Sequence, residues 1–381
     1  MVTGITLENF KSHRKTEVSL SNLNVLCGTN GVGKSSVIHA LLLLRESFFV
    51  NDQFAYLDFK SNPVNVGTGK DALYQFSDKN EITFRLNIDH QEFMFSFSSG
   101  DADLTKTVMY QAPAANHLYD RAQLSQQSLF GKSCQFISAG RMGPQPSYPK
   151  DDVVVEVYNQ ISVIAGRAEH FVHFLSSKRD LDVIPELRSP LTLSSDLLSQ
   201  TTAWEAEISE GIDIVIQDYG NLGYELRYQF QTGTNRGKTD DIKAENVGFG
   251  VTYVMPIIVA ILSAQPGTLL FIENPEAHLH PTGQAKLTEL ICLASQAGVQ
   301  IILETHSDHI INGILVQCKK FETEGKGIDR ECTRIYYFKR DQDEHKTICK
   351  AVPIEEDGKI IYPPTGFFDQ FQIDRNFLMG F

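Results

Sequence analysis

The sequence predicts an α/β fold: a mixed sheet flanked by helices, built around a phosphate-binding loop, with a helical subdomain inserted part-way. Three observations predict it. A Gly-rich turn ending in Lys and Ser, at 28–35, stands between a short apolar run and a long helical pattern. The last third alternates apolar strands with helical stretches, which implies a parallel sheet covered by helices. Between these parts, residues 151–218 carry mostly helical spacing.

Taken in order, Ile5, Leu7 and Phe10 mark a first strand, ITLENF, followed by a basic turn over 11–15. Val25, Leu26 and Cys27 form the apolar run before the loop. The loop itself reads G-x-x-x-x-G-K-S, from Gly28 through Thr29, Asn30, Gly31, Val32, Gly33 and Lys34 to Ser35, with Ser36 after it. Glycines let the backbone curl so that successive N–H groups converge on phosphate oxygens, and the helix that follows adds free N–H groups and its dipole. Lys34 is then placed for the β- and γ-phosphates and the Ser35 hydroxyl for Mg²⁺, so ATP with Mg²⁺ is the expected ligand. The helix over 37–49 is apolar on several faces and should be buried. Period-two patterns at 81–86 and 92–97, about Asp89–Gln91, predict a hairpin. The polar stretch 101–127 reads as a surface excursion.

A strand at 134–138 leads into a Gly- and Pro-containing turn. Helical spacing follows over 153–175 and 204–216, then a strand at 224–230 and a buried helix over 251–262. The remaining elements are strands at 268–272, 299–303 and 334–338, with helices over 282–295 and 308–321 between them. The expected organisation is an N-terminal lobe (1–150), an inserted helical subdomain (151–220), a second lobe (221–340) and a tail (341–381).

Two strand ends carry the remaining chemistry. Glu273 and Glu276 follow the apolar run 269–272. A carboxylate at the end of a buried central strand suits Mg²⁺, and a second one three residues on suits water activation. Glu273 is therefore assigned to the metal and Glu276 to the general base. His306 follows the next strand, facing the same crevice, as a γ-phosphate sensor. Asn246, Gly248 and Gly250 precede the buried helix and could present N–H groups to an anion. Asp341 and Asp343 read as a hairpin turn.

Composition bounds the rest. A net charge of −13 over 381 residues excludes a whole-surface polycation, so nucleic acid would need a local basic patch. Six scattered cysteines without C-x-x-C read as reduced thiols. The N-terminus lacks a signal-peptide pattern, and 253–264 falls short of the roughly 20 residues a membrane helix needs, so a cytoplasmic protein without a membrane partner is expected.

The stretches ITLENFKSH, CGTNGVGKSS, ISAGRMGP, ENVGFGVTYVMPI, LLFIENPEAHLHP and ILETHSDHIINGI together resemble the ABC-type ATPases of the SMC/RecF class. Within that class the chain is similar to a compact bacterial ATPase group related to the ATPase halves of OLD-type nucleases and to the Septu anti-phage ATPase. The resemblance implies an ABC-ATPase fold and a head-to-tail homodimer or larger homo-oligomer. In it Asn246, Gly248 and Gly250 of one protomer would cap ATP held by Lys34 and Ser35 of the other. It also implies a glutamine at the metal, for which Gln75 is the candidate, with Gln53 left open by spacing. The LSGGQ of transporter subunits is absent, and Glu273 stands where many relatives have Asp. OLD-type nucleases continue into a nuclease domain, whereas a short segment follows Phe338, so the resemblance implies no nuclease activity in this chain. A partner effector such as a nuclease, with DNA as a further partner, fits anti-phage defence; a RecF-like repair ATPase is the alternative.

Overall fold

The computed structural model describes residues 1–89, 91–99, 103–112, 119–233 and 237–380. Its centre is a six-stranded sheet in the order Thr347–Val352, Thr333–Arg340, Leu23–Gly28, Gln300–Thr305, Leu269–Glu273, Cys134–Ile137. The last five strands run parallel, and Thr347–Val352 adds an antiparallel edge. Parallel strands are covered on both faces, which explains their unbroken apolar runs. Side chains alternate between two cores. Val25, Cys27, Leu270, Ile272, Ile301 and Leu303 face one, with the helices Phe249–Leu262, Pro281–Gln296 and Asp308–Glu324. Leu26, Leu269, Phe271 and Ile302 face the other, which holds the Lys34–Val50 helix.

That helix is buried around most of its circumference because it lies between two sheets. Beyond it stands a second, antiparallel sheet ordered His13–Ser19, Val2–Phe10, Glu81–Ile88, Gln91–Ser98, Val108–Gln111, Tyr56–Asp58. The predicted hairpin is its middle; His90, at the turn, lies outside the described residues. The sheet also corrects two expectations. The basic stretch 11–15 turns only at Lys11 and Ser12, and from His13 it is an edge strand paired with Val2–Phe10. His13, Thr16 and Val18 point inward and the charges outward, as a protected edge requires. Within the 101–127 stretch, Val108–Gln111 joins the sheet; residues 101–102 and 113–118 lie outside the described residues.

The 153–175 helix is broken. A wide turn at Val153–Val157 and a helix at Phe171–Ser177 flank irregular chain with positive φ at Asn159, Ala165, Gly166 and Ala168. The pattern at 204–216 belongs to two elements. Helix Leu197–Ile208 stops before Gly211 (φ +75°), and Ile212–Asp218 pairs with Tyr224–Phe230 in a three-stranded antiparallel sheet closed by Ile242–Lys243. IDIVIQD alternates with period two, a signal hidden by the helix running into it. Asp341 and Asp343 sit in the turn before Thr347–Val352, where Asp341 Oδ1 accepts from the Asp343 and Glu344 N–H groups. A last helix, Gln370–Met379, follows. No helix among the described residues is long and apolar enough to cross a membrane.

Candidate active site

The loop after Leu23–Gly28 can curl only with glycine at its hinges. Gly28 has φ +138°, and a Cβ there would lie 2.2 Å from the Phe338 carbonyl oxygen; Gly33 has φ +101°. Three successive loop carbonyls are tied from behind. Arg340 Nη2 donates to Gly31 O, Thr347 Oγ1 to Val32 O at 2.8 Å, and His13 Nε2 to Gly33 O at 2.9 Å. A trans peptide points its N–H opposite to its C=O, so the N–H groups of Val32, Gly33 and Lys34 turn away from these braces. This is the cradle a phosphate needs. A Cβ on Gly33 would meet Thr347 Oγ1, His13 Nε2 and Ser12 Oγ at 2.6–2.8 Å, so the braces leave no room for a side chain.

His13 is fully buried, and burial pushes its pKa down to about 4. Because the Gly33 carbonyl can only accept, the ring carries its proton on Nε2, and Nδ1 accepts from Thr16 Oγ1 at 2.8 Å. His13, Arg340 and Thr347 were not anticipated from the sequence. His13 and Thr347 come from edge strands, and Arg340 from the end of Thr333–Arg340, a strand paired on both sides; only the fold brings the three behind the loop.

Lys34 starts the helix. Its Nζ donates to Thr29 O at 2.7 Å and Gly28 O at 3.2 Å, and lies 3.8 Å from Glu304 Oε1. Burial holds its pKa below the usual lysine value, with Glu304 the leading opposing influence. Glu273 and Glu304 end adjacent parallel strands in direct register. Glu273 Oε2 accepts from the Ala139 N–H at 3.1 Å, and burial raises its pKa. Glu304 is raised first by burial and then by the Glu273 charge, against Ser35, Lys34 and His306.

Glu276 reaches across to the next strand end. Its Oε2 accepts from Thr305 Oγ1 and its Oε1 from the His306 N–H, both at 2.8 Å. Asn274, at φ +45°, donates its N–H to Glu304 O at 2.9 Å. The two strand ends are thus knotted together, and the His306 ring stays exposed. A cavity of 480 Å³ opens beside the loop, lined among others by Lys11, Lys34, Ser35, Gln75 and Glu304. Gln75 is on this rim. Gln53 instead brackets the Tyr119 backbone, accepting from its N–H at 2.8 Å and donating to its carbonyl at 3.2 Å.

Asn246 and Gly248 are exposed and line no part of that cavity. Gly248 heads the Phe249–Leu262 helix, while Gly250 presses on the 274–280 loop, where a Cβ would lie 2.2 Å from His278 O. Phe249 packs edge-on against His278 with ring centroids 4.6 Å apart. Arg141, another residue given no role beforehand, joins this helix to the Glu273 strand end. It donates to the carbonyls of Ser138 (3.1 Å), Glu273 (2.8 Å), Asn274 (2.9 Å) and Tyr253 (2.8 Å), and stacks on the Tyr253 ring at 3.9 Å.

The donor set suits a magnesium-bound nucleotide: hydroxyl and carboxylate oxygens for a hard cation, beside outward-turned backbone N–H groups. Glu304 Oε2 is buried and has no hydrogen-bond partner, as expected of an oxygen reserved for a cation.

Family comparisons match the chain in three stretches. A family described as "AAA ATPase domain" matches residues 1–103, and one described as "AAA domain, putative AbiEii toxin, Type IV TA system" matches 143–312. Residues 328–378 match "Protein of unknown function (DUF3696)". Curated proteins give no match. Among solved structures, the chain is similar to an Smc head bound to the C-terminal winged-helix domain of ScpA. The TM-score is 0.54 at 14% identity, over 93% of this chain and 98% of that one. It is also similar to an Smc head with an extended coiled coil bound to the C-terminal domain of ScpA, from Pyrococcus furiosus, with TM-score 0.50 at 13% identity over 92% and 96%. The fold is that of the ABC-type SMC heads, and the matches are to AAA-type ATPase domains.

Proposed function

We propose that the chain binds and hydrolyses ATP with Mg²⁺ at the Gly28–Ser36 loop, and that ATP closes a head-to-tail dimer whose change of state is passed to a partner effector. The observation that carries this reading is that Lys34, Ser35 and Glu304 line one cavity, with Glu273 in register beside Glu304, while Gly248 stays exposed outside it. With phosphate in the cradle, the Lys34 ammonium exchanges the Gly28 and Thr29 carbonyls for phosphate oxygens. Ser35 and Glu273 would hold Mg²⁺, which would supply charge neutralisation for the phosphates. Glu276, fixed at the strand end, takes the proton of the attacking water, and the His306 ring contacts the γ-phosphate. Asn246, Gly248 and Gly250 of a second protomer cap the same phosphate, so ATP contacts both protomers and favours the closed state.

The effector is a nuclease or similar protein in anti-phage defence, in a cytoplasmic assembly. The toxin and toxin–antitoxin wording of the 143–312 family supports this. The SMC-head fold supports a second reading, a DNA repair or recombination ATPase of the RecF/SMC kind. Phosphate release and nucleotide-binding assays test the engine. Lys34→Ala should abolish ATP binding. Glu276→Gln should retain ATP while losing hydrolysis by roughly 100-fold or more. Full turnover by the Gln variant would remove Glu276 from this role. Co-purification with the product of a neighbouring nuclease gene, against co-purification with repair proteins, separates the two readings.

A further inference from the structure

We propose that Glu304 is a metal-side carboxylate: its Oε2, together with Ser35 and Glu273, completes the oxygen set that holds the divalent cation of the bound nucleotide. The inference rests on the ATP-site reading and assigns a residue that reading leaves without a role.

Glu304 is 5% exposed, and Oε2 has no hydrogen-bond partner. A buried unpartnered carboxylate oxygen is costly and calls for a cation. Its other oxygen lies 3.8 Å from Lys34 Nζ, and the carboxylate lines the phosphate-loop cavity together with Ser35. A carboxylate facing a triphosphate repels it unless positive charge lies between. Lys34 provides that charge while it sits by Glu304, yet the phosphates draw the same ammonium toward themselves. Once Lys34 is committed to phosphate, Glu304 and Glu273, in register at adjacent strand ends, are two carboxylates side by side. A divalent cation neutralises both and uses the free Oε2. The backbone around Glu304 is held for this task, since its carbonyl accepts from the Asn274 N–H. Arg141 fixes the Glu273 carbonyl from the other side at 2.8 Å.

The test is ATP affinity measured calorimetrically across a Mg²⁺ titration and in EDTA, with Mn²⁺ paramagnetic resonance as a direct report of the cation. Glu304→Gln should raise the Mg²⁺ needed for half-maximal ATP binding roughly tenfold or more and weaken the Mn²⁺ signal of the complex. Affinity in EDTA should hold or tighten, because a negative charge has gone. An unchanged Mg²⁺ dependence overturns the proposal. So does an equal loss of affinity with and without Mg²⁺, which would make Glu304 only a holder of Lys34. Should Glu304→Gln fail to fold, Glu304→Asp keeps the charge but withdraws it by one methylene, and the same Mg²⁺ shift is required of it. Wild-type protein that binds no ATP sinks the underlying site; wild-type binding with a metal-indifferent Glu304 variant sinks only this assignment.

Discussion

His13 shows how one buried side chain can serve both loop geometry and stability. Its ring holds the Gly33 carbonyl, and burial keeps its pKa at about 4 against 6.5 for an ordinary histidine. Between those values the unfolded chain binds more protons than the folded one. Stability is therefore complete above pH 6.5 and falls as pH drops toward 4, by about 3 kcal/mol from this residue alone. His39, lowered to about 3 by burial and by Lys11, acts in the same direction. Denaturant unfolding across pH 6.5 to 4 should show a shallower decline in His13→Asn than in the wild type. Parallel curves would mean that His13 does not titrate with unfolding. The same variant should weaken ATP binding at neutral pH, because the Gly33 peptide loses the brace that turns the Lys34 N–H toward the cavity.

At the scale of elements, Arg141 does for the Glu273 strand end what His13 does for the loop. Four carbonyls, from three stretches of chain, depend on one planar guanidinium. A lysine ammonium can reach only some of them and loses the stack on Tyr253, so the exchange is not conservative. Each buried carbonyl left without a donor costs about 1–3 kcal/mol. Arg141→Lys should therefore lower unfolding free energy by about 2–4 kcal/mol in chemical denaturation, and a value within about 0.5 kcal/mol of wild type would contradict this account. Arg141 stands in the ISAGRMGP stretch, which contributes to the resemblance and reads locally as a Gly- and Pro-containing turn, but the four carbonyls it joins are set by the fold. The central strands were legible because burial on both faces leaves unbroken apolar runs, and Glu273 stood out as a charge ending such a run. Glu304 likewise follows an apolar run, one residue before the end of its strand. Its importance depends on register with Glu273, which is a tertiary fact. In the 204–216 stretch a helix and a period-two strand meet across Gly211, and the apolar residues of the two together mimic a single helical period.

For the whole molecule, the decisive question is whether the site is shared between two chains. Gly248 allows a clean test. Its φ is −52°, and a Cβ there would meet nothing within 4 Å, so the fold accepts a side chain. Aspartate at that position also suits a helix start, and Gly248→Asp should fold as well as wild type. Its carboxylate would repel a γ-phosphate presented by a second protomer, without touching the cavity beside its own Lys34. Lys34→Ala and Gly248→Asp should each lack ATPase activity alone. In a head-to-tail dimer their mixture forms heterodimers with one doubly damaged site and one intact site. If protomers exchange at random and the two sites work independently, half of the dimers recover one site of two, about a quarter of wild-type turnover. A site completed within one chain predicts no recovery at any mixing ratio. Phosphate release from the mixed variants, measured after incubation long enough for protomers to exchange, separates these outcomes, because no combination of two inactive monomers can restore a site that each must build alone.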